Sequence, residues 1–117
     1  MVFEIVLVLL LIKHWYIDFV DQSNEEIAKK GDYLHWLGIR HSFKHGLLTA
    51  IILLYFIQPV YAMLAGLFDT LIHYHIDYMK MRLGSTDIKS KSFWAHLGLD
   101  QLLHQLTYIG LCLVFIS

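Results

Sequence analysis

The sequence predicts an all-α chain, a polytopic membrane four-helix bundle. Three observations lead there. The chain is 57% hydrophobic and 16% charged, with a mean hydropathy of +0.55, whereas a typical globular domain is nearly half apolar and about 25% charged. The apolar residues fall into four runs, each close to the roughly 20 residues that cross a hydrocarbon core. The single proline, Pro59, separates two of those runs. At 117 residues the chain is expected to form one domain, 1–117.

Helix one is expected over 2–20. Its first residues, Met1 to Ile12, hold only one charge, Glu4. They lack the basic start and small-residue cleavage site of a secretory leader, so the run reads as a retained helix. Helix two is expected over 41–57 and helix three over 60–81, with Pro59 at a helix start, where its missing N–H costs nothing. Helix four is expected over 93–116. Between helices one and two, Ser23-Asn24-Glu25-Glu26 has capping-box spacing. Gly31 follows Lys29 and Lys30, as past a helix C-terminus. A short interfacial helix is expected there. Tyr33, Trp36 and Trp94 suit the aromatic belt of a bilayer.

Basic residues set the expected topology. Lys29, Lys30, Arg40 and Lys44 flank the first loop, and Lys80, Arg82, Lys89 and Lys91 flank the third. The positive-inside rule then places both loops in the cytoplasm and both termini outside, in a bacterial inner (cytoplasmic) membrane. A net charge of −1 argues against a nucleic-acid partner. The lone cysteine, Cys112, excludes an internal disulfide and lies in an apolar run with nothing adjacent to lower its pKa.

The ionisable residues carry the functional signal. Helix one holds His14 and Asp18, helix two His41 and His45, helix three Asp69, His73 and Asp77, and helix four His96, Asp100 and His104. Every set repeats at four residues, which puts its members on one helix face. In an antiparallel bundle the four stripes meet at one level. One His–Asp pair alone would read as interhelical glue. Four converging stripes without cysteine favour a borderline or hard divalent metal, zinc, manganese or iron, as one or two ions. The expected ligands are His14, Asp18, His41, His45, His73, Asp77, Asp100 and His104, with either or both of the helix-two histidines. Asp69 sits deeper and suits a supporting role. His96 lies nearer the surface, and His35 and His75 fall off the stripes.

At these residues the chain resembles small integral-membrane proteins of bacteria and their phages that are classed as a domain of unknown function. The resemblance rests on His14-x3-Asp18-Phe19-x2-Gln22, on a helix-two histidine, on His73-x3-Asp77 with Lys80 close by, and on Asp100-Gln101-x2-His104. It covers nearly the whole chain, though Asp21 adds an acid inside the first motif. The His and Asp pattern is also similar to that of membrane-bound proteins described as metal-dependent hydrolases, which implies hydrolysis by analogy.

A divalent ion lowers the pKa of bound water and polarises a phosphoryl or acyl oxygen. Asp18 or Asp100 is then the expected general base. Gln22 and Gln101 suit oxyanion or supporting roles, against capping or interhelical hydrogen bonds as the plainer account. Lys30, Lys80 and Arg82 are the expected substrate-binding cations, within a basic rim that also includes Lys29, Arg40 and Lys44. Such a rim favours an anionic substrate, either lipid or a phosphorylated small molecule, although the positive-inside rule alone would produce it. Membrane lipid is the expected partner, and a homo-oligomer is admitted. The competing classes are a divalent-metal or proton transporter, haem ligation, and a non-catalytic, metal-stabilised membrane or phage–host interaction protein.

Overall fold

The computed structural model describes residues 1–116, whose regular elements are all helical, with no strand among them. In chain order the elements are α1 (Val2–Trp15), a π-helical continuation (Tyr16–Asp21), α2 (Asn24–Lys29), α3 (Trp36–Leu54), α4 (Pro59–Leu83) and α5 (Lys91–Phe115). The four expected helices correspond to α1 with its π extension, α3, α4 and α5. The short helix expected in the first long loop is α2, which makes five α-helices.

Local chemistry sets the boundaries. Ser23 accepts a hydrogen bond from the Glu26 amide at 3.1 Å and starts α2. His35 caps α3 by accepting from the Leu37 amide, so that helix begins five residues earlier than position 41. Pro59 opens α4. Ser90 caps α5 by accepting from the Phe93 amide.

No described helix is long and apolar enough to cross a membrane. This overturns the expected multi-pass inner-membrane location, and the placement of both termini outside falls with it. α1 has only 14 residues before its backbone widens into the π turn. α3, α4 and α5 are longer, but Arg40, Lys44, Lys80, Arg82, Lys91 and the histidine and aspartate stripes interrupt their apolar sequence. The apolar runs measured by composition are thus amphipathic helices whose polar faces meet inside. Their outer faces still show large apolar side chains, among them Ile12, Phe43, Leu47, Met63, Leu67 and Leu106.

The bundle is divided along its length. At one end Val6, Leu10, Leu53, Ala62, Ala65, Tyr108, Leu111 and Cys112 form the apolar core. The ionisable side chains fill the interior beyond it. α3 and α4 cross at glycines. A Cβ on Gly46 would overlap Thr70 Oγ1 and the Gly66 carbonyl, and one on Gly66 would lie 2.6 Å from the Gly46 carbonyl oxygen. This backbone approach brings His45, next to Gly46, and His73, about two turns beyond Gly66, to a ring-centroid separation of 3.7 Å.

Candidate metal centre

All eight expected ligands converge on one buried cluster. Two of its three ligand-atom groups are Asp18 with His41, His45 and His73, and His14 with His73 and His104. The third is Asp77 with Asp100 and His104, and within each group the atoms lie within 4.8 Å of one another. Both helix-two histidines belong to it. His41, His45 and His73 are fully buried, and His14 and His104 nearly so.

Two carboxylates organise the cluster. Asp18 Oδ1 lies 2.9 Å from His41 Nε2, 2.8 Å from His45 Nε2 and 3.8 Å from His73 Nε2. Its other oxygen is 3.3 Å from His14 Nε2. Asp77 Oδ2 lies 3.1 Å from His73 Nε2 and 3.6 Å from His41 Nε2, while Oδ1 is 3.1 Å from His104 Nε2. His104 Nε2 is also 3.4 Å from Asp100 Oδ1. Each of these two aspartates therefore turns its oxygens to two subsets of histidines. The π turn aims Asp18: it continues α1 with a wider repeat, a distortion that recurs at functional sites.

The imidazoles are held from behind. His14 Nδ1 is 2.9 Å from the Tyr108 hydroxyl, and His45 Nδ1 is 3.1 Å from Lys13 Nζ. His41 Nδ1 is 3.5 Å from Glu26 Oε2. Lys13 also donates to Asp69 at 3.0 Å, and Thr49 donates to the same carboxylate. Asp69 lies in none of the three ligand-atom groups and anchors Lys13 beneath the cluster instead. Several buried atoms have no hydrogen-bond partner: both ring nitrogens of His41 and His73, Asp77 Oδ2 and Asp100 Oδ1. Orphaned buried polar atoms are costly. Here every one of these atoms belongs to a residue of the three ligand-atom groups, so each is free to hold a metal.

Electrostatics follow from that crowding. Burial, reinforced by the neighbouring His104, pushes the His73 imidazole down to about 4, with Asp77 opposing. Burial likewise depresses His14 and, with His73, takes His45 well below its usual value. For His104, burial opposes the charge, but hydrogen bonds to Asp100 and Asp77 and their negative charge raise it to about 9. Burial also works against ionised Asp77, yet His73 and Lys30 hold its carboxyl well below the usual range. Burial raises the Cys112 thiol, in keeping with an inert core cysteine.

The remaining expected site residues are dispersed. Gln22 donates to the Asp18 carbonyl at 2.9 Å and closes the π turn, the capping role. Gln101 lies 2.9 Å from His14 Nε2 and donates to Asp100 at 3.1 Å, tying these two cluster residues together. Lys30 is not a rim cation: it is buried, 3.3 Å from Asp77 Oδ2. Arg82 is exposed and away from the cluster. Lys80 borders a cleft of about 720 Å³ between α4 and α5, whose wall includes His96 and the ligand candidate Asp100. His35 caps α3, and His75 bonds the Leu71 carbonyl at the surface.

Lys13, Glu26, Thr49 and Tyr108 belong to the site but were not expected there. Thr49 and Tyr108 extend stripes already visible, as 41-45-49 and 100-104-108. Glu26 was legible only as a capping residue, and Lys13 only as the polar end of an apolar run.

No curated protein and no solved structure matches this chain. One family model does, over residues 6–117, described as a protein of unknown function, DUF3307. A match over nearly the whole length, including every stripe, places the chain in that family: it belongs to DUF3307.

Proposed function

We propose that this protein binds two divalent metal ions and is a metal-dependent hydrolase. The observation that carries the metal reading is the buried convergence of five histidines and three aspartates from four segments, several with orphaned ligand atoms. The spacing suits it. Two ligands of one tetrahedral ion at about 2.0–2.1 Å lie about 3.3 Å apart, inside the observed range of 2.8–3.8 Å. Five imidazoles and three carboxylates exceed one coordination shell, and Asp18 and Asp77, whose oxygens turn to different histidines, would help hold two ions. Nitrogen and oxygen donors without thiolate fit zinc, manganese or iron.

Hydrolysis is favoured by access. Asp100 belongs both to the cluster and to the wall of the α4–α5 cleft, so the cleft runs up to the cluster. Bound divalent metal supplies Lewis acidity and an acidified water. The chain's own residues supply the rest. Asp18 is engaged by four imidazoles, whereas Asp100 Oδ1 has no hydrogen bond and its residue lines the cleft. Asp100 is therefore the better general base of the two. Tyr108, Lys13 and Glu26 fix the ring orientations of His14, His45 and His41.

The test is phosphate release from a small phosphomonoester such as phenyl phosphate by the purified protein loaded with zinc or manganese. The proposal expects turnover that disappears with chelator, returns with metal and is lost in Asp100→Asn. Bound metal without turnover on phosphate or carboxylic esters would leave a metal-binding protein and remove the hydrolase.

A further inference from the structure

We propose that the cleft between α4 and α5 takes the apolar tail of an anionic amphiphile, an alkyl phosphate monoester, and holds its phosphate between Lys80 and the metal centre. This names a substrate class for the hydrolase reading and rests on it.

The cleft has the size and the lining for such a molecule. Its volume of about 720 Å³ lies in the range of small-molecule sites, roughly 300–1,000 Å³. Leu71, Ile72, Ile76, Met79, Leu99 and Leu103 form its apolar walls. Along α4 it extends from Leu71 to Leu83, about 18 Å at 1.5 Å per residue. A free phosphate needs no trough of that length, whereas an alkyl chain fills it.

Lys80 and His96 lie toward the end where the chain turns from α4 toward α5, Asp100 lies midway, and His75 is a further polar group nearer the Leu71 end. Lys80 has no carboxylate partner among the described residues. Lys29, Lys30, Arg40 and Lys44 all do, on Asp32, Asp77, Glu26 and Asp21 respectively. An unpaired ammonium at the end of an apolar trough complements an anionic head on an apolar tail. Asp100 alone would repel that head, so phosphate binding requires the divalent cation that offsets the carboxylates. The reaction balances as hydrolysis. Water oxygen bonds to phosphorus as the bond to the alkyl oxygen breaks, and the proton that water loses ends on the leaving alcohol.

The test compares decyl phosphate with ethyl phosphate on manganese-loaded protein, by calorimetric binding and by phosphate release. Decyl phosphate is expected to bind at least about tenfold tighter, since each buried methylene adds to the gain. Leu99→Asp and Leu103→Asp, at exposed positions, should each erase the preference for decyl over ethyl phosphate. Lys80→Ala should weaken both ligands about tenfold, and Lys80→Arg should restore them. Equal turnover of the two phosphates would overturn the cleft while leaving the hydrolase. Metal- and tail-dependent binding of decyl phosphate without cleavage would keep the ligand class and remove the hydrolase. Binding that ignores metal, or its absence, would overturn the proposal. So would a change in oligomeric mass in Leu99→Asp without loss of ligand, which would assign the cleft to a second copy of the chain.

Discussion

Glu26 Oε2 lies 3.5 Å from Nδ1 of His41, the ring nitrogen turned away from Asp18. Glu26 is 2% exposed, although it stands in the first turn of a six-residue helix. A carboxylate behind a ligating imidazole fixes its orientation and raises its basicity, and its loss usually costs 10–100-fold in metal affinity. Glu26→Gln is therefore expected to weaken zinc binding by about that factor, measured by competition against a chromogenic chelator. Ser23→Ala, which removes the α2 cap but leaves the carboxylate, should lower thermal stability with a much smaller effect on affinity. Equal affinity in Glu26→Gln and the unmodified protein would confine Glu26 to capping.

The histidines set the pH dependence of the metal-free protein. His104, raised to about 9, binds its proton more tightly folded than unfolded. Its stabilising contribution is complete below about 6.5 and is lost as pH rises through 9. His73, lowered to about 4, runs the other way: the unfolded chain takes up the proton first, so stability falls as pH drops from about 6.5 toward 4. The melting temperature of metal-free protein should therefore peak near neutrality and decline on both sides. Metal loading must displace the His104 proton, so affinity should rise from pH 7 to 9 with measurable proton release. A flat affinity across that interval would remove His104 from the ligand set.

Gly46 tests whether the α3–α4 crossing positions the site. A Cβ there meets Thr70 and the Gly66 backbone, which cannot move aside as a side-chain tip would. Gly46→Ala should cost about 1–3 kcal/mol or more by overpacking and also reduce bound metal, because His45 and His73 depend on that approach. Gly98→Ala, with open space around its Cβ, is the control and should be neutral or stabilising. Unchanged metal content in a folded but less stable Gly46→Ala would detach the crossing from the site.

The helices and the cluster were legible in the sequence for the same reason. A four-residue repeat of ionisable side chains in an apolar helix has to face inward, and four such stripes have to meet. The spacing of 14-18, 41-45, 73-77 and 100-104 therefore located the site before any coordinates. The membrane location was misread because composition averages over both faces. In α3, α4 and α5 the stripes that make the site lower the hydropathy of each helix, and α1 is too short to span. Lys30 was misread because charge was counted by sequence position, while folding of α2 against α3 carries that lysine inward to Asp77. Glu26 was missed because its burial depends on α2 packing against α3, and Lys13 because its burial depends on His45, Asp69 and Tyr108 of three other helices; neither leaves a periodic trace.

The most direct measurement is the metal content of the purified protein by elemental mass spectrometry, alongside Asp77→Ala and Lys89→Ala. The account predicts close to two equivalents of zinc, manganese or iron in the unmodified chain and in Lys89→Ala. It predicts at most one equivalent in Asp77→Ala, whose two oxygens face separate sets of histidines. No bound metal, even after reloading with each ion, would contradict the central claim and leave the cluster a network of buried ion pairs.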